Sequence, residues 1–197
     1  MRSLLVSGLA LLVAAVPAEQ LMLDLRGDAL FASARQLDLI QPRFLKQLKN
    51  GGTVAFDFHL ALWVDTRNSV SRRSFERFVV SYDLWEERFA VASLRKPTVR
   101  ATGLSSGAIS NWCLQQVAVP TPRLDHAGTV WVRLDVRAAE NRREIEPADD
   151  EALSLASLVE LLSRPGRAGE ARWTLESGAV TLAALRARAA EQRSVNP

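Results

Sequence analysis

The chain has 197 residues, of which 48% are hydrophobic and 24% are charged, with a formal net charge of +3. These proportions are ordinary for a globular protein and predict one folded domain with its own core. A single cysteine excludes an internal disulfide, and scattered arginines without a concentrated basic segment argue against a nucleic-acid partner.

Residues 1–18 have the three-part pattern of a secretory signal peptide. A short basic start precedes 13 uncharged residues from Leu4 to Val16, and small residues follow at the expected cleavage position. Thirteen residues fall short of the roughly 20 needed to span a bilayer, so cleavage is favoured over retention as an anchor. We therefore expect a mature protein from about Glu19, soluble in the periplasm or secreted, without a membrane span. Because Cys113 is the only cysteine, an N-terminal lipid anchor is not expected.

The first part of the mature chain predicts a hairpin, a short helix and a long strand. Residues 21–39 alternate around Gly27-Asp28, which is typical of a β-hairpin turn. Residues 41–49 predict a helix with Pro42 in its first turn. Strict alternation of apolar and other residues over 53–64 predicts a half-buried strand with one face on a core.

The next segments predict two more strands and a second helix. Residues 73–85 and 88–94 alternate and are joined by a short polar segment, which favours antiparallel pairing. Residues 96–103 are interpreted as a connector. A helix is expected from Ser105 or Ser106 to about Val117, closed by prolines at 120 and 122.

The last segments complete a single domain over residues 19–197. Alternation over 129–138 predicts a strand, the charged residues 140–151 a loop, and the following residues to about 163 a helix. A short strand at 171–176 and a helical or frayed tail from 181 follow. About six strands with three or four interleaved helices predict a mainly β, α+β fold: an antiparallel β-sandwich or a curved sheet.

One stretch spells a catalytic motif. Gly103-Leu104-Ser105-Ser106-Gly107 matches the G-x-S-x-G nucleophile elbow, and Asp125 and His126 follow in the order of a hydrolase triad. The elbow needs a buried parallel strand before it, and the preceding residues are polar and contain Pro97. We favour a helix cap at Ser105, and we assign no catalytic residue.

Four residues are candidates for contact with a ligand or partner: Asp57, His59, Trp63 and Trp131. Both tryptophans fall on the polar phase of their strands, so a shared face would offer a surface for a sugar, peptide or protein. The alternative is a second core, with helices covering that face. Asp57 and His59, with Asp65, suggest a metal site, but a solvated sheet face gives the same pattern, and we predict no metal and no cofactor.

The order of hydrophobic and aromatic segments carries a family resemblance. The matching segments are Phe31, the helix Pro42 to Leu48 with Asn50-Gly51-Gly52, the strands Phe56 to Leu62, Phe78 to Leu84 and Val130 to Arg137, and Trp173-Thr174-Leu175-Glu176-Ser177. Together they resemble an uncharacterised family of exported bacterial proteins, the domain of unknown function numbered 4390. The resemblance implies an envelope location and transfers no catalytic residue.

These observations favour an exported, non-enzymatic envelope protein, an interaction or accessory domain with an envelope protein partner. The alternative is a periplasmic ligand-binding module that uses Trp63 and Trp131 on a sheet face. A serine hydrolase using Ser105 is the least favoured interpretation.

Overall fold

A computed structural model of the protein describes residues 20–121, 124, 128–139 and 171–195. The predicted signal peptide, the loop predicted at 140–151, the helix predicted to end near 163, and the pair Asp125 and His126 lie outside the described residues. Among the helices that are described, none has both the length and the hydropathy needed to cross a membrane.

The described residues form ten strands and three helices. The strands are β1 (Gln20–Arg26), β2 (Ala29–Ser33), β3 (Val54–Val64), β4 (Arg72–Asp83), β5 (Arg88–Ser93), β6 (Arg100–Leu104), β7 (Ala118–Pro120), β8 (Thr129–Ala139), β9 (Arg172–Ser177) and β10 (Val180–Thr181). The helices are α1 (Pro42–Lys49), α2 (Ser106–Gln116) and α3 (Leu182–Val195).

The strands join into one mixed sheet. Its order is β6-β5-β4-β3-β8-β9-β1-β2-β7, and β10 pairs with β8 outside this path. Every pair is antiparallel except β1 with β9, which are parallel. The mainly β, α+β prediction is therefore confirmed. The number of strands was underestimated at six, and the sheet is not wholly antiparallel. The strands form one continuously hydrogen-bonded sheet, which does not support a sandwich specifically.

The sheet curves around the hydrophobic core. Although β7 lies at one end of the strand order, it contacts β3 and β4 near the middle. The helices α1 and α2 pack on the same apolar side. Phe44 of α1 meets the Phe56 ring edge-on at 5.6 Å, and Trp112 of α2 meets Phe78 at 5.9 Å. Such edge-to-face pairs add to the stabilisation from buried area.

Most predicted elements are found within one or two residues of their expected ends, but the second hairpin strand, expected to continue to Leu39, ends at Ser33. The β1–β2 hairpin turns at Gly27, whose positive φ of 59° explains a glycine there. The predicted connector at 96–103 is wrong in part, since it contains most of β6. The segment closed by Pro120 holds the short strand β7, and its proline lies at the strand end, where the missing N–H costs no ladder bond. Leu84, which lies in the predicted strand 73–85, is exposed in the turn after β4.

The long strand β3 departs from the half-buried expectation. Its apolar side is buried as predicted, but Ala55, Asp57 and Ala61 on the other side are buried too. Small residues and one carboxylate are thus covered by larger side chains of the neighbouring strands. The face of the sheet on which these three residues lie is the candidate site.

Candidate functional site

One face of four adjacent strands carries eight charged and three aromatic side chains. We call it the polar face. It is formed by Asp57, His59 and Trp63 of β3; Arg73, Phe75 and Arg77 of β4; Trp131, Arg133, Asp135 and Arg137 of β8; and Arg172, Thr174 and Glu176 of β9. The strand registers place these residues directly beside one another, because side chains alternate between the two faces of a strand.

The two candidate tryptophans are direct neighbours on the polar face. Trp63 of β3 lies opposite Trp131 of β8, so their Cβ atoms are about 5 Å apart, as for any such antiparallel pair. Both side chains are partly exposed. The Arg67 guanidinium lies 5.6 Å from the centre of the Trp131 ring. The structure therefore brings together two residues that are 68 positions apart in the sequence.

Asp57 is held in an ion pair. Its two carboxylate oxygens accept hydrogen bonds of 2.5 and 2.7 Å from Nε and Nη2 of Arg77, its direct neighbour on β4. The side chains are only 11% and 29% exposed. A bidentate pair of this kind fixes both groups, so Asp57 serves to position Arg77.

Asp135 is the centre of a second polar cluster. Its Oδ1 atom accepts hydrogen bonds from Thr174 Oγ1 at 2.7 Å, Arg133 Nη2 at 3.2 Å and Arg172 Nη2 at 3.3 Å. Partial burial alone would raise the pKa of Asp135. The hydrogen bonds from Thr174 and Arg133 and the nearby guanidinium charges outweigh burial, so the pKa of Asp135 lies below its ordinary value.

His59 occupies the middle of the polar face. It lies between Phe75 on β4 and Asp135 on β8. Partial burial lowers the pKa of His59, and the guanidinium of Arg73 lowers it further, whereas Asp135 opposes them. The imidazole is therefore neutral at pH 7 and adds no charge to the face.

Positive charge exceeds negative charge on the polar face. Its charged residues are Arg73, Arg77, Arg133, Arg137 and Arg172 against Asp57, Asp135 and Glu176, which leaves an excess of two positive charges. Arg137 and Arg172 lie directly opposite each other on β8 and β9. Like charges in this position destabilise a sheet, and the Asp135 carboxylate, 3.3 Å from Nη2 of Arg172, offsets part of this repulsion.

The helices that contact the central strands pack on the opposite side. The contact of Phe44 with Phe56 places α1 on the apolar face of β3, and Trp112 with Phe78 does the same for α2 and β4. The third helix, α3, packs against β1 and β10. Within the described residues, therefore, arginine side chains cover the polar face where a second core would have used helices.

The G-x-S-x-G motif lies away from this face. Ser105 is exposed and occupies the N-cap position of α2, as predicted, but its hydroxyl makes no capping hydrogen bond to a described residue. The strand before it, β6, is short and pairs antiparallel with β5 at the end of the strand order. A nucleophile elbow needs a strand inside a parallel sheet. Cys113 is buried on α2, and burial raises the pKa of its thiol, which keeps the thiol protonated.

The suggested grouping of Asp57, His59 and Asp65 does not form. Asp57 is bound by Arg77, and Asp65 instead accepts a 2.9 Å hydrogen bond from the Thr129 amide where β3 and β8 end. In the described part of the chain, no three His, Cys, Asp or Glu side chains are grouped closely enough to hold a metal ion.

Four residues of the polar face were predicted from the sequence, but its arginines were not. The sequence does place two of these arginines, Arg133 and Arg137, on the same side of β8 as Trp131. Which residues these arginines meet depends on the strands that lie beside β8, and alternation along one strand does not reveal its neighbours. A scan against protein-family models and searches of the curated proteins and of the solved structures found no match to this chain. The family resemblance therefore stays a prediction, and function has to be argued from the polar face.

Proposed function

We propose that this protein is an exported, non-enzymatic binding domain of the bacterial cell envelope that holds an acidic oligosaccharide on its polar face. The predicted signal peptide and the family resemblance support the location. The observation that carries the binding role is the pairing of Trp63 with Trp131 on the same face as an excess of arginines.

The residue types on the polar face suit a charged sugar polymer. Tryptophan offers a flat apolar surface to the faces of sugar rings, with a polar N–H at its edge. Arginine recognises carboxylates through two parallel hydrogen bonds. An anion bound beside Arg137 and Arg172 would offset the repulsion that Asp135 leaves between these two opposed residues.

The length of the face favours an oligomer over a single small molecule. Trp131 and Arg137 are six residues apart on β8, which corresponds to about 20 Å at the usual rise per residue of a strand. A ligand that reaches both the tryptophan pair and the arginine pair must therefore be an extended chain.

Two of the three carboxylates of the polar face, Asp57 and Asp135, support binding without cleavage. Glycoside hydrolysis uses one carboxylic acid with a raised pKa and a second carboxylate near the reacting bond. Here the pKa of Asp135 is lowered, and both oxygens of Asp57 accept hydrogen bonds from Arg77. Neither group is placed to donate a proton to a leaving group.

Binding of oligogalacturonate, a polymer of uronic acid, tests this proposal. We expect calorimetry and tryptophan fluorescence to detect binding by the wild type, and Trp131→Ala and Arg137→Gln each to weaken it about tenfold or more. Added salt should weaken binding further, since screening reduces interactions of exposed charges. Uncharged dextran oligosaccharides should bind far more weakly.

Trp85→Ala is the matched control, because Trp85 lies in the turn between β4 and β5, away from the polar face. It should bind oligogalacturonate like the wild type. Equal binding by all four proteins, or equal binding of dextran, would contradict the proposed ligand. Release of shortened oligosaccharides, seen by mass spectrometry and lost in a polar-face variant, would contradict the non-enzymatic role.

A further inference from the structure

The turn between β4 and β5 displays the most exposed large apolar side chain of the described residues. Trp85 is 96% exposed and its neighbour Leu84 is 58% exposed. Single exposed apolar residues are common, but tryptophan is mostly buried in folded proteins and is enriched among the residues that dominate protein interfaces.

The turn is held in one conformation by its own hydrogen bonds. Asp83 Oδ1 accepts the backbone N–H groups of Trp85 at 2.8 Å and Glu86 at 3.1 Å. Glu87 has a φ of +52°, which a residue with a side chain adopts only where its surroundings enforce it. Trp85 is thus presented by a preorganised backbone, which reduces the entropy lost when a partner binds.

The strands beneath the turn are firmly joined. The pairing of β4 with β5 continues to Asp83 and Arg88, and the rings of Tyr82 and Phe89 meet edge-on with centres 4.8 Å apart. Lys49 of α1 places its ammonium group 5.7 Å from the Tyr82 ring centre. The exposed tryptophan is therefore attached to the folded body of the protein and not to a loose loop.

Acidic residues flank the exposed tryptophan along the chain. Asp83, Glu86 and Glu87 flank it, against Arg88 alone among the residues of the turn and its ends. We propose that Trp85 anchors a partner protein by inserting into an apolar pocket that has a basic rim. The acidic surroundings disfavour the alternative of insertion into a membrane, because bacterial lipid surfaces carry negative charge.

This docking point is separate from the polar face. Arg77, the polar-face residue of β4 nearest the turn, and Asp83 are six residues apart, or about 20 Å in an extended strand. A partner on Trp85 and an oligosaccharide beside Trp131 can therefore be bound together, and each surface can be altered without touching the other.

Photo-crosslinking in the native envelope tests the proposal on the full chain. We place p-benzoylphenylalanine at Leu84, irradiate cells, identify adducts by mass spectrometry, and measure binding of the purified partner by calorimetry. We expect one protein adduct. Trp85→Ala and the double variant Glu86→Lys, Glu87→Lys should each reduce the adduct and the affinity at least tenfold. Thermal unfolding should be unchanged, since these side chains are exposed.

The crosslinker at Met22, an exposed apolar residue on β1, is the matched control and should give no such adduct. Absence of a protein adduct at Leu84, or an adduct that survives Trp85→Ala, would overturn the proposal. Affinity that survives the charge reversal would overturn the basic rim. Binding of the wild type, but not Trp85→Ala, to vesicles of phosphatidylethanolamine and phosphatidylglycerol would reassign Trp85 to the membrane.

Discussion

The two faces of β3 and β8 are covered by different means. On the apolar face, Phe58, Leu60 and Leu134 are fully buried against the curved sheet and the helices. On the polar face, Asp57 is nearly as buried, but beneath arginine side chains that pair with carboxylates. At Asp57, therefore, burial alone does not distinguish the polar face from the core. The faces differ in what holds the covering groups in place. Apolar packing holds them on one face, and ion pairs, which depend on charge and pH, hold them on the other.

The largest difference in stability between the faces should appear when a phenylalanine is replaced by alanine on each face. Phe58 is fully buried, and its ring meets that of Phe78 edge-on at 5.1 Å. Phe58→Ala should lower the free energy of unfolding by about 3–5 kcal/mol, because it removes buried apolar area and leaves a cavity. Urea unfolding followed by circular dichroism measures this loss.

Phe75→Ala is the control on the polar face, where Phe75 is partly exposed beside His59. It should cost less than half as much, since less apolar area leaves water and solvent can fill the space. A cost for Phe75→Ala equal to that for Phe58→Ala would mean that the polar face is a second core.

The fold was predictable where residues of one strand carry the signal. The alternation along β3 and β8 predicted both strands and both tryptophan phases, and Gly27 predicted the hairpin turn. The strand β6 was missed because the polar residues and Pro97 before it are typical of a connector. The strands β7 and β10 were missed because three and two residues are too few for a period to show. Their pairing is set by partners distant in the sequence.

The binding residues were predictable only in part for the same reason. Trp63 and Trp131 were identified from alternation, but that they lie opposite each other follows from the register of β3 with β8. The opposed arginines Arg137 and Arg172 depend likewise on the register of β8 with β9. A shift of one residue in either pairing would send these side chains to the other face.

A smaller loss is expected from the ion pair on the polar face. Asp57→Ala leaves the largely buried guanidinium of Arg77 without its bidentate partner, and should lower the free energy of unfolding by about 1–3 kcal/mol. The matched control is Asp24→Ala, which removes the exposed pair of Asp24 with Arg26 and should cost less than about 1 kcal/mol. Chemical denaturation of both variants gives the comparison.

A double variant separates the ion pair from the packing of its members. Asp57→Ala with Arg77→Met should recover part of the loss, since no charge is then left without its partner. If the double variant loses as much as the two single variants added together, the pair contributes no coupling and the account of the covered polar face is wrong.

The smallest predicted effect is a pH dependence confined to the polar face. In the folded state the pKa of His59 is lowered below its ordinary value of 6.5. At any pH between the folded and the unfolded pKa, the unfolded chain therefore binds more protons than the folded protein. Stability is then complete above pH 6.5 and falls as the pH decreases towards the folded pKa. The pKa of Asp135 is also lowered, so its contribution to stability is lost only below its ordinary value of 3.8, in a separate pH range.

His59→Gln should therefore flatten the decline in stability that begins at pH 6.5 and leave the decline below pH 3.8 intact. Urea unfolding at a series of pH values measures both declines. An unchanged slope below pH 6.5 would mean that protonation of His59 costs the folded protein nothing, and that the arginines around it do not act on the imidazole.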